Sequence, residues 1–453
     1  MCAVPDDILP TKKNAYHHYD TAVKNDYQHN AIIFTAFDFL WGLSLPFALY
    51  TTIVPAYMSE LGAPKSLIGI IASLTITICP VQVITSHFFR KQSRKVWLMG
   101  LYISSVIPWT LYSFIFLCWA PAVSNAVKLI FFSICMLIFM AGCIGCFPLH
   151  FSLMTDCTPL KKRGTLYGYR VAAISLASIL ACPLAYWVTK HWNGPDSFLV
   201  AFIVGNIFRI ISSTVILSAR EHRDPRIYRD RKPGSKMNRL IPRTRLTVRK
   251  MLKNTNYRIL LFFTIILFIS MMMGSFIIVF AKETMMLTGA EIITFTIIQM
   301  LSAAFFSTIL GKIGDKVGYK IIGVISTLLL SFGFMLVLLA ATGHMFRSVT
   351  VYLGFILYSG VTSVAAMVQM NMSVELLPKI NSGTLVALTN FLMMPAIFVS
   401  LLFSGLIIDL TSSYTIVFTI GALLSAISTV GFAVLVQEPR KRVMYVVRQV
   451  RKI

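Results

Sequence analysis

The chain has 453 residues, of which 57% are hydrophobic and only 13% charged, with a formal net charge of +24 and a mean hydropathy of +0.75. Soluble domains carry about 25% charged residues, so an ordinary soluble enzyme is excluded. The excess of Lys and Arg does not indicate nucleic acid either, because it sits between repeated apolar runs of about 20 residues, the length that crosses a bilayer.

Hydrocarbon penalises charge and obliges each backbone to satisfy itself within a helix. The expected fold class is therefore all-α integral membrane, with twelve transmembrane helices. Residues 1–30 read as a polar tail with Lys12, Lys13, His17, His18 and Lys24, ahead of an apolar run that starts at Ala31. A cleavable signal keeps its apolar stretch close behind a short basic start, so the first span is expected to stay in the mature protein. The spans fall at 31–57, 66–89, 96–118, 127–152, 165–189, 197–218, 257–281, 288–311, 320–341, 348–373, 383–408 and 413–436.

Asp38 lies about two turns into span one, and an ionisable residue inside a span is a functional candidate. The loop after span two, Ser86 to Lys95, holds Arg90, Lys91, Arg94 and Lys95. In span four, Met136, Met140, Cys143, His150 and Met154 follow steps that put them on one helical stripe, interrupted by Phe147. Thioether, thiol and imidazole suit soft ions such as Cu(I); the other reading is that Met fills gaps, as elsewhere in a chain with 22 Met. Arg170 lies about two turns into span five. Spans one and five start from the same side, so Asp38 and Arg170 sit at similar depth, ~10 Å in at 1.5 Å per residue. They form either a proton or ion site or a permanent ion pair. Arg209 and Asn206 lie in span six, where Arg209 is expected to snorkel toward the cytoplasm.

The segment from Arg220 to Arg258 holds fourteen Lys/Arg against Glu221, Asp224 and Asp230, and includes Pro225, Pro233, Gly234 and Pro242. It reads as a linker between halves: a solvated cytoplasmic loop, or a surface for anionic lipid. Its stretch Leu246–Lys253 is amphipathic enough to lie along a bilayer. Gln299, Gln369, Asn371 and Asn390 lie in spans eight, ten and eleven, as cavity contacts for a polar substrate or as interhelical hydrogen bonds.

Lys and Arg collect in alternate loops: Lys161, Lys162 and Arg163, then Lys312, Lys316 and Lys320, against single Lys65, Lys128, Lys190, Lys282 and Arg347. That alternation places both termini in the cytoplasm. The expected division is 1–30 cytoplasmic tail, 31–218 first six-helix bundle, 219–256 basic cytoplasmic linker, 257–437 second six-helix bundle and 438–453 basic cytoplasmic tail. Of eight Cys, Cys79, Cys118, Cys135, Cys143, Cys146 and Cys182 sit in apolar runs, and only Cys2 and Cys157 outside them. This is no disulfide framework. It suits a bacterial inner membrane or an equivalent cell membrane.

Two loops match at an offset of 219: Asp156-Cys157-Thr158-Pro159 with Gly164-Thr165-Leu166, and Glu375-Leu376-Leu377-Pro378 with Gly383-Thr384-Leu385. A second echo pairs Leu61-Gly62-Ala63-Pro64 with Thr288-Gly289-Ala290-Glu291. Such repeats are expected where two bundles rock around a central site.

The run Gly311-Lys312-Ile313-Gly314-Asp315-Lys316-Val317-Gly318-Tyr319-Lys320 resembles the cytoplasmic loop signature of the major facilitator superfamily, with only Tyr319 departing from it. Asp156…Pro159…Arg163-Gly164 and Glu438-Pro439-Arg440 resemble that family's loop between spans four and five and its ending after span twelve. The resemblance covers essentially the whole chain and implies two six-helix bundles around a central cavity lined by span four, with spans one and five as neighbours. It implies gating by Gly311, Asp315, Lys316, Gly318, Lys320, Asp156, Arg163 and Glu375. Asp315 is expected at a helix N-terminus or paired with a base across the seam. The first-half loop keeps the basics but lacks the Gly and Asp. Span four has no Arg, and Cys182-Pro183 in span five does not match the Gly-Pro-Gly-Gly pattern of drug/proton antiporters.

The function expected is secondary active transport of a small molecule or ion by alternating access, as symporter or uniporter, by a monomer that needs no cofactor. The alternatives are a soft-metal transporter using the span-four stripe and a non-transporting receptor or scaffold. No HExxH, nucleotide-binding Gly-rich loop or clustered Cys/His loop is present, so enzymatic or ATP-driven chemistry is not expected.

Overall fold

The computed structural model describes residues 12–48, 53–64, 67, 68, 70, 71, 74, 77–88, 93–119, 123–192, 195–225, 240–285, 289–341, 347–411 and 413–439. Cys2, Lys65, Arg90, Lys91, the centre of the linker and the tail beyond Pro439 lie outside the described residues.

The described residues contain eleven helices long and apolar enough to cross a membrane. Span one belongs to a helix over Lys12–Ala48, and Ile53–Glu60 follows it. In the segment of span two, Cys79–Phe88 is helical. Spans three to six are Arg94–Cys118, Asn125–Asp156, Arg163–His191 and Pro195–Val215. The linker carries a helix over Leu240–Lys253. Span seven, Thr255–Gly274, continues as Ile277–Met285, and spans eight to twelve are Gly289–Val317, Tyr319–Ala341, Arg347–Leu376, Ser382–Thr411 and Tyr414–Val434. With the second-span segment this is the twelve-helix, two-bundle arrangement.

Local chemistry sets several ends. Asn254 caps span seven, its side chain accepting a hydrogen bond from the Tyr257 amide at 3.1 Å, as a short polar residue does before a helix. Gly318 closes span eight at φ +108°, a conformation only glycine adopts without strain. The first helix starts well before the apolar run. Its polar turns are held at one end of the first bundle: Tyr19 donates to the Asp156 carbonyl at 2.7 Å, Asp26 accepts from Arg220 and meets His222, and Asn30 bonds both backbone groups of Arg220.

The packing pattern repeats. In the first bundle span one packs on five and six, three on four and six, and two on four; in the second, seven packs on eleven and twelve, nine on ten and twelve, and eight on ten. Adding six to each number in the first set gives the second. Between bundles the same symmetry holds, with five against eight and two against eleven. Each bundle has an aromatic core: Trp109, Phe132 and Phe202 in the first, Phe295, Phe334 and Phe418 in the second. Leu180 and Leu410 are 67% and 84% exposed. An outward surface of large aliphatics matches a lipid solvent, in which such exposure carries no penalty.

Candidate functional site

A cavity of about 620 Å³ lies where the two bundles meet. The first bundle supplies most of its wall, and all of its full charges: Asp38 from span one, Arg170 from span five and Arg209 from span six. Aromatic rings surround these charges, among them Trp41, Tyr102, Phe139 and Tyr167. The second bundle contributes Gln369 and Asn390. These amides form a ladder with Gln82 of span two. The Asn390 amide donates to Gln82 Oε1 at 2.9 Å, and Gln369 donates to Asn390 Oδ1 at 3.3 Å.

Asp38 and Arg170 form a buried two-point ion pair, through Nε to Oδ2 and through Nη2 to Oδ1 at 3.3 Å. The same guanidinium reaches span four, touching the Met154 sulfur at 2.6 Å and donating to His150 Nε2 at 3.1 Å. With Nε2 accepting, the imidazole proton sits on Nδ1, 3.4 Å from the Tyr102 hydroxyl. Arg170 thus ties spans one, four and five together. Arg209 is 1% exposed and does not snorkel. It donates to Ser44 Oγ, Asn206 Oδ1 and the Ala48 carbonyl at 3.2, 3.1 and 3.0 Å. It also faces Trp41, Trp109 and Phe139, each within 5.6 Å of the ring centre. Aromatic faces and oxygen acceptors offset the desolvation that would otherwise drive the charge outward.

Below the cavity the bundles close on each other. The Asp315 carboxylate of span eight accepts the amide protons of Gly164 at 2.9 Å and Thr165 at 2.6 Å, at the first turn of span five. A carboxylate at a helix N-terminus satisfies orphan amides and meets the positive end of the helix dipole. Tyr319, the residue that departs from the loop signature, donates its hydroxyl to Asp315 at 2.9 Å. Gly311 and Gly164 lie backbone to backbone, so that a Cβ on either would strike the other's carbonyl. Between spans four and eleven, Asn381 donates to Ser152 at 3.3 Å, and Gly383 lies against the Pro148 carbonyl.

At the same end each bundle carries a matching carboxylate clamp. Glu221 accepts from the backbone amide of Arg94 at 3.1 Å, where span three begins; Glu438 accepts from that of Lys320 at 2.9 Å, where span nine begins. The first clamp is extended. Arg94, 1% exposed, also bridges Asp156 at 2.7 Å and Glu221 at 2.9 Å. Burial opposes charge on Glu221, but Arg94, aided by Arg223, outweighs it and holds the carboxyl below its usual range. Burial pushes the neighbouring Cys157 thiol up to about 12, so it stays protonated.

The sequence profile of the Major Facilitator Superfamily matches residues 32–400. The chain belongs to that family. No curated protein sequence matches it. Among solved superfamily structures it is similar in fold to the proton:xylose symporter XylE, at 16% identity and TM-score 0.68, over 93% of this chain and 97% of that one. It is similar to a bacterial homologue of the iron transporter ferroportin in the outward-facing state, at 13% and 0.67, over 89% and 98%. It is similar also to the human organic anion transporter MFSD10, at 13% and 0.62, over 89% and 99%.

In this superfamily member the residues singled out from sequence divide into three groups. Asp38, Arg170, Met140, Cys143, His150, Met154, Gln369 and Asn390 all line the cavity. Gln299 does not: it lies exposed on span eight. Asn371 is buried against its own helix, donating to the Met367 carbonyl at 3.0 Å, and Met136 is wholly buried in the aromatic core. At the seam, Arg163 donates to the Thr155 carbonyl at 2.8 Å, Lys316 is exposed, and Glu375 is half-buried at the end of span ten. Gln82, Tyr102, Tyr167 and Arg209 join the site without having been singled out for it. Only Arg209 carried a signal, as a charge in an apolar run.

Proposed function

We propose that the chain moves a small organic solute by alternating access, driven by an ion or solute gradient. The observation that carries this is the cavity between bundles, sealed at one end by Asp315 of one bundle on the first turn of a helix of the other. Such a contact is made of hydrogen bonds and helix-end electrostatics, which can break and reform, so it supports two discrete packings of rigid bundles. With the basic loops cytoplasmic, the sealed end is the cytoplasmic one. The cavity fits a solute with an apolar body, for the aromatic wall, and a polar group, for the Gln82–Asn390–Gln369 ladder. The soft-metal reading is weaker, because Arg170 places a positive charge on Met154 and His150, where a cation would have to bind. Among the described residues no group of three His, Cys, Asp or Glu could hold a metal.

The test is a melting screen of purified protein against metabolites, drugs and soft metals, with each hit carried into flux measurements in proteoliposomes. A stabilising organic solute that is also accumulated or exchanged supports the proposal. Stabilisation by Cu(I) alone supports the metal reading. Binding without any flux indicates a receptor on this fold.

A further inference from the structure

A second cavity, about 460 Å³, opens on the side of the molecule at the two–eleven seam. Ile84 of span two and Phe391 of span eleven supply opposite walls. The linker helix lies across it with Ile241, Val248, Arg245 and Arg249. Ile84, Phe391 and Ile241 are 40%, 39% and 77% exposed. Apolar surface of this kind beside two membrane spans is solvated by acyl chains. Arg245 and Arg249 are exposed and stand four apart, so they are neighbours on one helix face, about 6 Å apart at Cβ. Two like charges at that spacing repel, and no acidic residue is among the described groove-lining residues. An anion between them removes the repulsion, and guanidinium pairs with phosphate through two parallel hydrogen bonds.

We propose that this groove binds one anionic glycerophospholipid of the surrounding leaflet, an acyl chain lying between Ile84 and Phe391 and the phosphate on Arg245 and Arg249. Neither half of the recognition suffices alone. The chain supplies apolar contact that a soluble phosphate lacks, and the arginines supply selection that a zwitterionic lipid does not satisfy. The groove takes one wall from each bundle. The lipid therefore favours the packing in which spans two and eleven are together, since a ligand shifts an equilibrium by its differential affinity for the two states. The binding itself does not rest on the transport reading; only this bias does.

The experiment titrates phosphatidylglycerol into detergent-solubilised protein and counts bound lipid by native mass spectrometry. One tight phosphatidylglycerol per chain is expected, with phosphatidylcholine and glycerol 3-phosphate both failing to displace it. The double change Arg245→Gln with Arg249→Gln should weaken that binding by about 30-fold, at about 1 kcal/mol per basic residue near a lipid surface. Arg245→Lys with Arg249→Lys, which keeps the charge and loses the paired hydrogen bonds, should bind between the wild type and the Gln double variant. Thr244→Trp, which puts bulk into the groove and keeps both charges, should also abolish the tight site. Both arginines are exposed, so loss of fold is not the anticipated result, and an unchanged melting temperature checks it. Equal binding in the Gln double variant, or displacement by phosphatidylcholine or by glycerol 3-phosphate, would overturn the proposal.

Discussion

Asp315 serves as an acceptor across the bundles, taking the amide protons of Gly164 and Thr165. Asp315→Asn keeps the size, removes the charge and turns one acceptor into a donor facing donors. Uptake into proteoliposomes should fall by about 10-fold or more, the worth of roughly 1.4 kcal/mol in one charge-assisted contact, with near-normal abundance in the membrane. Unchanged uptake would leave Asp315 as a helix cap and nothing more. Inside the cavity, Asp38 has two roles to separate. As the structural partner of Arg170, its change to Asn leaves a buried guanidinium without its counter-charge, which costs several kcal/mol. Asp38→Asn should then melt well below wild type, and adding Arg170→Gln should recover much of the loss. As a coupling residue, Asp38→Asn should melt normally, abolish accumulation against a gradient and spare exchange. Melting and flux on the same three proteins decide between them.

At the scale of elements, the clamp at the start of span three carries a pH dependence. Glu221 is held below the ordinary carboxylate value of 4.5. A carboxyl depressed in the folded state adds stability that is complete above its unfolded value and is lost as pH falls through the lower native one. The wild-type melting temperature should therefore drop as pH is lowered from about 4.5, and Glu221→Gln should start lower at neutral pH and drop less. Parallel curves for the two proteins would show that Glu221 contributes no charge-dependent stability. The elements themselves were readable from hydropathy, because a span must be apolar over its whole length wherever it sits. The cavity was readable where a residue was anomalous in its span or fell on the stripe of span four. Asp38 and Arg170 stand out because charge is costly in hydrocarbon. Tyr102 and Gln82 look like ordinary span residues, and only the approach of another helix makes them lining. Arg209 was visible as a charge but its direction was not, since the aromatic shelf beneath it comes from spans one, three and four. The early start of the first helix was hidden for a similar reason. Its polar turns are fixed by Asp156, Arg220 and His222, all more than a hundred residues away.

At the scale of the whole molecule, the loop charges predict an orientation and the seam divides the bundles. Reporter fusions at both termini and within the linker should all report cytoplasmic, and opposite signals at the two termini would break the even span count. The seam makes a stronger demand. If a solute is to leave toward the Asp315 end, the five–eight and two–eleven contacts must part there, and the packing symmetry requires both to part together. Beside the two–eleven contact, Ser152 of span four and Asn381 at the start of span eleven face each other across the bundles, side chain to side chain at 3.3 Å, and neither belongs to the Asp315 contact. Ser152→Cys with Asn381→Cys should form a disulfide under mild oxidation and hold that end shut. The cross-linked protein should still show ligand-dependent stabilisation, since the cavity lies beyond the cross-link, while uptake and exchange both stop and return on reduction. Either single cysteine should transport in both conditions, which separates the cross-link from the substitutions. Continued exchange by fully cross-linked protein would mean that the bundles do not separate at this end. The sealed seam would then be a permanent feature of the fold, and alternating access about this cavity would be wrong.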